Sequence, residues 1–307
     1  MVRCHHIHSE TLRGVLAEFL GTFVFGSFVM GSSAQNTFSN NPNTLQANLA
    51  SGIGLMVGIY ISGGVSGGHL NPAVTLACCL GKKTSWKRLP FYWISQLLAA
   101  VLAAALQYGI CYDVIEEFNG NIRNQTTAAI FVTYPPTFTN TYVGFSNQVY
   151  ATFFFCGGIL AIIDSNSTVS SPNMAPLAIG LLLTAVVSSY GLNGGPAVNP
   201  ALDLGPRIVL LLAGWGVEPF TFRNLNWFWV PIVGPLLGSF LGWLFYHAFV
   251  AHHWSEMDTF SDFLSSTGKY EGQNIVTDHI TNYPTSMESI WTLGTTENNI
   301  NKFEIRD

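Results

Sequence analysis

The sequence predicts an all-α membrane protein with six transmembrane helices and two half-helices arranged as an inverted repeat. Three observations predict it. Only 9% of the 307 residues are charged and 49% are hydrophobic, whereas soluble domains carry about 25% charged residues. Six apolar runs approach the roughly 20 residues that a spanning helix needs. The tripeptide Asn-Pro-Ala occurs twice, at Asn71-Pro72-Ala73 and Asn199-Pro200-Ala201, each time inside an apolar stretch.

The predicted spans cover about 12–33, 47–66, 89–112, 148–165, 175–192 and 227–250. Arg3 and Arg13 give the first the flank of a signal peptide, but its apolar stretch, Val15–Gly31, exceeds a signal core of 7–15 residues. Two shorter runs, 72–80 and 200–213, begin at the Pro of each tripeptide. At about 1.5 Å per residue neither crosses a core about 30 Å thick. Such interrupted backbone is tolerated at membrane depth only where protein buries it or a water-filled cavity lines it.

The two halves, about 10–112 and 148–250, share one order: helix, helix, tripeptide with half-helix, helix. The segment Asp113–Asn147 joins them. Three spans per half turn the second half upside down, a plan that places a site where the paired interruptions meet. Glu18 and Gln148 occupy similar places in the first helix of each half. Residues 1–254 form the expected channel domain. From Ser255 onward the chain holds nine Asp/Glu and three Lys/Arg, lacks helical periodicity and reads as a flexible tail, inert or regulatory. The net charge of −5 therefore describes the tail, and nothing suggests nucleic acid.

The cysteines, Cys4, Cys78, Cys79, Cys111 and Cys156, are odd in number and scattered. They imply neither a disulfide framework nor a metal site, and no cofactor is expected. Lys82, Lys83, Lys87 and Arg88 crowd the loop after the first half-helix, so the positive-inside rule places both termini in the cytoplasm. The protein is expected to be multi-pass, in the plasma membrane. Asn124-Gln125-Thr126 then falls outside as a glycan acceptor, while Asn166-Ser167-Thr168 falls inside and is expected to be unused.

Asn is a strong helix N-cap and Pro suits the first helical position. Two opposed repeats bring two such N-termini together near the midplane, each carrying about half a positive charge. The Asn NH2 groups become donors into a cavity, and the dipoles repel cations and protons. The glycine-dense segments SGGVSGGHL and SSYGLNGGPAV add carbonyl acceptors. One polar ladder facing apolar walls suits water and small polyols.

These motifs resemble the major intrinsic proteins, or aquaporins, over nearly all of residues 10–250. SGGHLNPAVT and NPALDLGPR, the latter carrying Asp203 and Arg207, are similar to the aquaglyceroporin branch, as is the GWG at 214–216. The resemblance implies a homotetramer in the lipid bilayer with one pore per subunit, passing water and glycerol. It makes Asn71 and Asn199 the central donors, and gives the carbonyl ladder to Gly67, Gly68, His69, Gly195, Pro196 and Ala197. Glu18, Gln148 and Asp203 become structural supports.

One position departs from the family. Arg usually follows the second tripeptide directly, and here Leu202 stands there. Arg207 lies five residues on, about 140° around the helix, and cannot substitute. Motif offsets place Ser51, Val187 and Pro196 beside Leu202 as the selectivity filter. This uncharged set predicts broad permeability to small neutral solutes, with urea and larger polyols included, and weaker cation exclusion at the outer mouth. The competing expectation is that Leu202 narrows the pore and lowers flux.

Other readings compete. GVSGG at 64–68 matches the nucleophile-elbow pattern and resembles the rhomboid intramembrane protease motif, with Ser66 as nucleophile and His69 or His247 as base. A coupled secondary transporter also uses inverted repeats but needs an intramembrane ionisable site, and Glu18 is almost the only one. An adhesive junction protein with a vestigial pore is a third reading. His5, His6 and His8 read as a solvated tract or a metal or pH site, His252 and His253 as interfacial, and His69 as a gate or a packed loop residue.

Overall fold

The computed structural model describes residues 7–120, 122–166, 172–224 and 226–254. The expectations for the tail from Ser255, for Cys4, His5 and His6, and for Ser167 and Thr168 lie outside the described residues. Within them every regular element is helical.

The first repeat consists of α1 (Glu10–Phe38), α2 (Thr44–Ser66), the half-helix α3 (Pro72–Leu80) and α4 (Leu89–Ile110). The joint holds two short helices, α5 (Tyr112–Asn119) and α6 (Gln125–Ala128). The second repeat follows with α7 (Thr141–Ile162), α8 (Ala175–Ser189), the half-helix α9 (Pro200–Leu212), a single turn α10 (Glu218–Thr221) and α11 (Val230–Phe249). Five of these helices, α1, α2, α4, α7 and α11, are long and apolar enough to cross a membrane. The protein is a multi-pass membrane protein.

The expected span at 175–192 is shorter than anticipated. α8 has 15 residues, preceded by a 3-10 turn at Pro172–Met174. Together they reach about 28 Å at 1.5 and 2.0 Å per residue, close to the hydrocarbon thickness. α7 begins seven residues before the expected start, because Asn140 caps it by accepting the Val143 N–H at 2.9 Å. Both half-helices start at the anticipated Pro.

Each half-helix packs into the opposite repeat. α3 lies against α11 and α7 as well as α4, and α9 lies against α4 and α11. Small residues permit these approaches. A Cβ on Gly205 of α9 would stand 3.0 Å from the Val101 nitrogen of α4, and one on Gly180 of α8 would stand 2.6 Å from the Gly52 carbonyl of α2. Close approach of this kind through small residues is the usual basis of helix association in lipid, where hydrophobic burial contributes little.

Candidate functional site

The chain turns back on itself at two places, before α3 and before α9. At each, a non-glycine residue takes left-handed backbone: Leu70 at φ 53° and Val198 at φ 44°. The next residue in each case is the capping Asn. Asn71 Oδ1 accepts the Ala73 N–H at 2.8 Å, and Asn199 Oδ1 accepts the N–H groups of Ala201 and Leu202 at 3.1 and 3.3 Å. These bonds satisfy amides that a helix start leaves unpaired.

With its oxygen turned to the backbone, each Asn presents its NH2 to the other repeat. Asn71 Nδ2 donates to the Val198 carbonyl and Asn199 Nδ2 to the Leu70 carbonyl, both at 2.8 Å. The two tips are therefore clasped reciprocally, and both Asn side chains are buried. One hydrogen of each NH2 is engaged across the junction, which the sequence reading did not anticipate; the second has no protein partner among the described residues.

Each turn is braced from the first helix of its own repeat. Glu18 Oε1 accepts from Ser66 Oγ (2.6 Å) and the His69 N–H (2.9 Å), and Oε2 accepts from the Leu70 N–H (2.7 Å) and Gln96 Nε2 (2.8 Å). A buried carboxylate needs such donors to replace its hydration. Gln148 performs the equivalent task with both ends of its amide: Nε2 donates to the Gly195 carbonyl at 2.9 Å, and Oε1 accepts the Ala197 N–H at 2.7 Å.

Two cavities flank the clasp. The first, about 370 Å³, opens at the end carrying Lys83 and Arg88. Its lining combines the turn residues Gly67, Gly68, His69 and Asn71 with the apolar side chains of Phe25, Leu55, Ile59, Phe155, Ile159 and Ile179. The second, about 290 Å³, opens at the opposite end, beside Asn36 and Thr44. Phe25 and Val198 line both. Asn71 lines the first, and Asn199 is buried at the junction between the two, bonded to the Leu70 carbonyl.

Ser51, Val187, Pro196 and Leu202 all line the second cavity. Among the described residues no protein donor reaches the carbonyls of Gly67, Gly68, His69 or Pro196. The Gly195 and Ala197 carbonyls each already accept one, from Gln148 and from the Asn199 N–H at 2.5 Å, and keep a second lone pair. The His69 ring is held between two hydroxyls, Nδ1 to Thr75 and Nε2 to Thr84, each at 3.2 Å.

The comparisons with known proteins agree with this geometry. Residues 5–246 match the sequence profile described as "Major intrinsic protein". Aquaporin-10 of Milnesium tardigradum is 39% identical over 272 residues, covering 82% of this chain and 66% of that protein. Aquaporin-9 of Homo sapiens is 40% identical over 259 residues, covering 82% of this chain and 88% of its own length. An aquaglyceroporin structure from Plasmodium falciparum superposes with a TM-score of 0.72 at 29% identity, covering 79% of this chain and 98% of that one.

The chain belongs to the major intrinsic protein family. It is an aquaporin-type channel and not an enzyme. Ser66, the nucleophile of the protease reading, donates its hydroxyl to Glu18 and accepts the Gly68 N–H at 3.0 Å, and no histidine among the described residues bonds to it. Nor does the transporter reading gain support, since the roughly four acceptor positions of the Glu18 carboxylate are filled by the four donors named above.

In this aquaporin the position after the second tripeptide is apolar and folded back. A Cβ on Gly26 of α1 would stand only 2.9 Å from Leu202 Cδ2, so the leucine rests against α1. Arg207 is fully buried and serves a different purpose. Its Nε donates to Asp203 Oδ1 at 2.6 Å, Nη2 to the Thr133 carbonyl at 2.9 Å, and Nη1 to the Pro219 carbonyl. Asp203 Oδ2 in turn accepts the Thr133 N–H and hydroxyl at 2.9 and 2.7 Å. The pair thereby anchors the 129–133 loop, which walls the second cavity. Asp203 is the one charged residue among those lining that cavity, and Arg207 neutralises it.

Sequence reasoning missed the contribution of α1. Phe25, Val29, Ser32, Ser33 and Asn36 form one helical stripe on the second cavity. Their signal was legible as spacing: i, i+4, i+7, i+8 and i+11 lie on one face, with polar letters entering an apolar span over its last turns.

Proposed function

We propose that this chain is a passive channel for water, glycerol and other small neutral solutes, urea and larger polyols among them, with selectivity broadened by Leu202. The observation that supports it is the pair of cavities at the clasped Asn tips, each lined by both hydrogen-bonding groups and apolar side chains. A polyol turns its hydroxyls to the former and its CH groups to the latter. Asn71 and Asn199 act through the second hydrogen of each NH2, and the carbonyls of the two turns accept in relay.

Ser51, Val187, Pro196 and Leu202 form the outer filter. Without a guanidinium it lacks the fixed charge and paired donors that Arg supplies, so the half-helix dipoles carry most of the cation barrier. The basic loop at Lys82–Arg88 faces the cytoplasm with both termini, the joint with Asn124 faces outside and accepts a glycan, and four copies assemble in the plasma membrane.

The test is stopped-flow light scattering of vesicles containing the purified chain and its Leu202→Arg variant, with water, glycerol, urea and larger polyols. Non-saturating flux of all four that narrows toward water and glycerol in the variant supports the reading. Saturable uptake points to a carrier, and negligible flux to a junction protein. Equal selectivity in both forms defeats the role of Leu202.

A further inference from the structure

The two cavities divide at a place other than the outer filter. The second cavity takes in Ser51, Val187, Pro196 and Leu202 in one lining, so the void runs past all of them without a break. It ends at Phe25 and Val198, which also line the first cavity. The narrow step between the voids is therefore built from an aromatic side chain of α1 and from the turn before α9.

Both residues are fixed in place. Val198 is buried in left-handed backbone, and its carbonyl accepts Asn71 Nδ2 at 2.8 Å. Phe25 is buried in the same apolar cluster as Val198, with Leu55 and Ile59. Glycines seat α1 before and after it. One turn earlier, a Cβ on Gly21 would stand 2.5 Å from Leu70 Cδ2 and 3.0 Å from the Gly58 carbonyl of α2. One residue later, a Cβ on Gly26 would stand 2.9 Å from Leu202 Cδ2 and 3.4 Å from the Ala103 Cβ of α4. A helix held this closely cannot draw back, and a ring packed in such a cluster yields little. The outer filter, by contrast, holds no aromatic ring and no guanidinium.

We propose that Phe25 and Val198, beside the clasped Asn tips, set the width limit of this channel, and that the outer filter does not. The inference rests on the channel reading above and deepens it. Linear polyols keep one cross-section however long they are, so they thread the step. A branched solute of the same chemistry is held there. Leu202, resting on the residue next to Phe25, borders the step from the second cavity.

The test is stopped-flow permeability of vesicles holding the full chain, with water, glycerol and pentaerythritol, whose branched hydroxymethyl arms give it glycerol's chemistry at greater width. Wild type should pass glycerol and hold back pentaerythritol. Phe25→Leu and Val198→Ala should each raise the pentaerythritol-to-glycerol ratio by about fivefold or more, the span that relief of one overpacked contact covers. Each rise should exceed that of Val187→Ala in the outer filter. Water flux on the same vesicles shows which variants conduct, and two sites changed separately keep the result readable if one variant does not assemble. Unchanged ratios in conducting variants, a larger rise in Val187→Ala, or equal glycerol and pentaerythritol flux in wild type each overturn the width limit and leave the channel intact. Wild-type vesicles that pass no glycerol overturn the channel reading and the inference with it.

Discussion

Asn71 and Asn199 hold one another indirectly, each donating at 2.8 Å to the carbonyl of the residue preceding its counterpart. Asn71→Asp keeps the cap oxygen but sets a second acceptor against the Val198 carbonyl. It should lower stability by about 1–3 kcal/mol and abolish most water flux. Asn71→Ala adds the loss of the cap, about 1 kcal/mol more. Thermal unfolding in detergent beside vesicle permeability checks both. Unchanged midpoints would show that the clasp contributes nothing.

Glu18 gathers four donors from three elements. Glu18→Ala orphans the N–H groups of His69 and Leu70 at once and should cost about 3 kcal/mol or more. Glu18→Gln keeps one acceptor oxygen and should lie between alanine and wild type. If the two variants unfold at the same temperature, the carboxylate does not brace the turn.

Leu202 and Gly26 are coupled by contact. Gly26→Ala should push the leucine into the second cavity and reduce glycerol flux several-fold, while Leu202→Ala should raise the flux of larger polyols. The double variant should recover glycerol flux beyond the sum of the single effects, as touching residues are not additive. Strict additivity in the flux cycle would refute the contact.

Gly180 faces the Gly52 carbonyl closely enough that any Cβ must displace a helix. Gly180→Val should therefore destabilise the chain by about 2–3 kcal/mol, in the range of overpacked cores. Size-exclusion profiles and unfolding midpoints measure it, and a monodisperse variant of wild-type stability would count against tight α2–α8 packing.

Tyr134, in the loop before α7, donates to Glu218 Oε2 at 2.7 Å. Burial, then the hydrogen bond and charge of Glu218, push its hydroxyl well above the ordinary tyrosine range. The folded form thus favours the neutral ring. Its stability contribution is complete below about pH 10, the unfolded value, and is lost as pH climbs beyond it. Tyr134→Phe should be less stable at neutral pH but show a shallower alkaline decline. Parallel curves from pH 7 to 11 would contradict this.

Much of the architecture was legible because two local signals are strong. Asn-Pro marks a helix start by capping chemistry, and both half-helices begin where it occurs. Long apolar runs mark spans. The start of α7 was not legible, since TYVGFSN is too polar for a hydropathy reading and only the Asn140 cap reveals it. The cross-repeat bonds of Asn71 and Asn199 depend on residues in opposite halves, so no local pattern carries them. The same holds for Thr133, whose backbone and hydroxyl receive Asp203, Arg207 and Trp227 from elements far along the chain.

The left-handed residues Leu70 and Val198 carry a further consequence. Each is held in a backbone state that costs about 1 kcal/mol or more for a branched side chain, and the bond that secures its carbonyl comes from the other repeat. Neither half can complete its own tip. A single repeat released from its sibling would have to borrow the missing donor from a second molecule, so the symmetry that divides this chain in two also makes each part dependent on the other to finish folding.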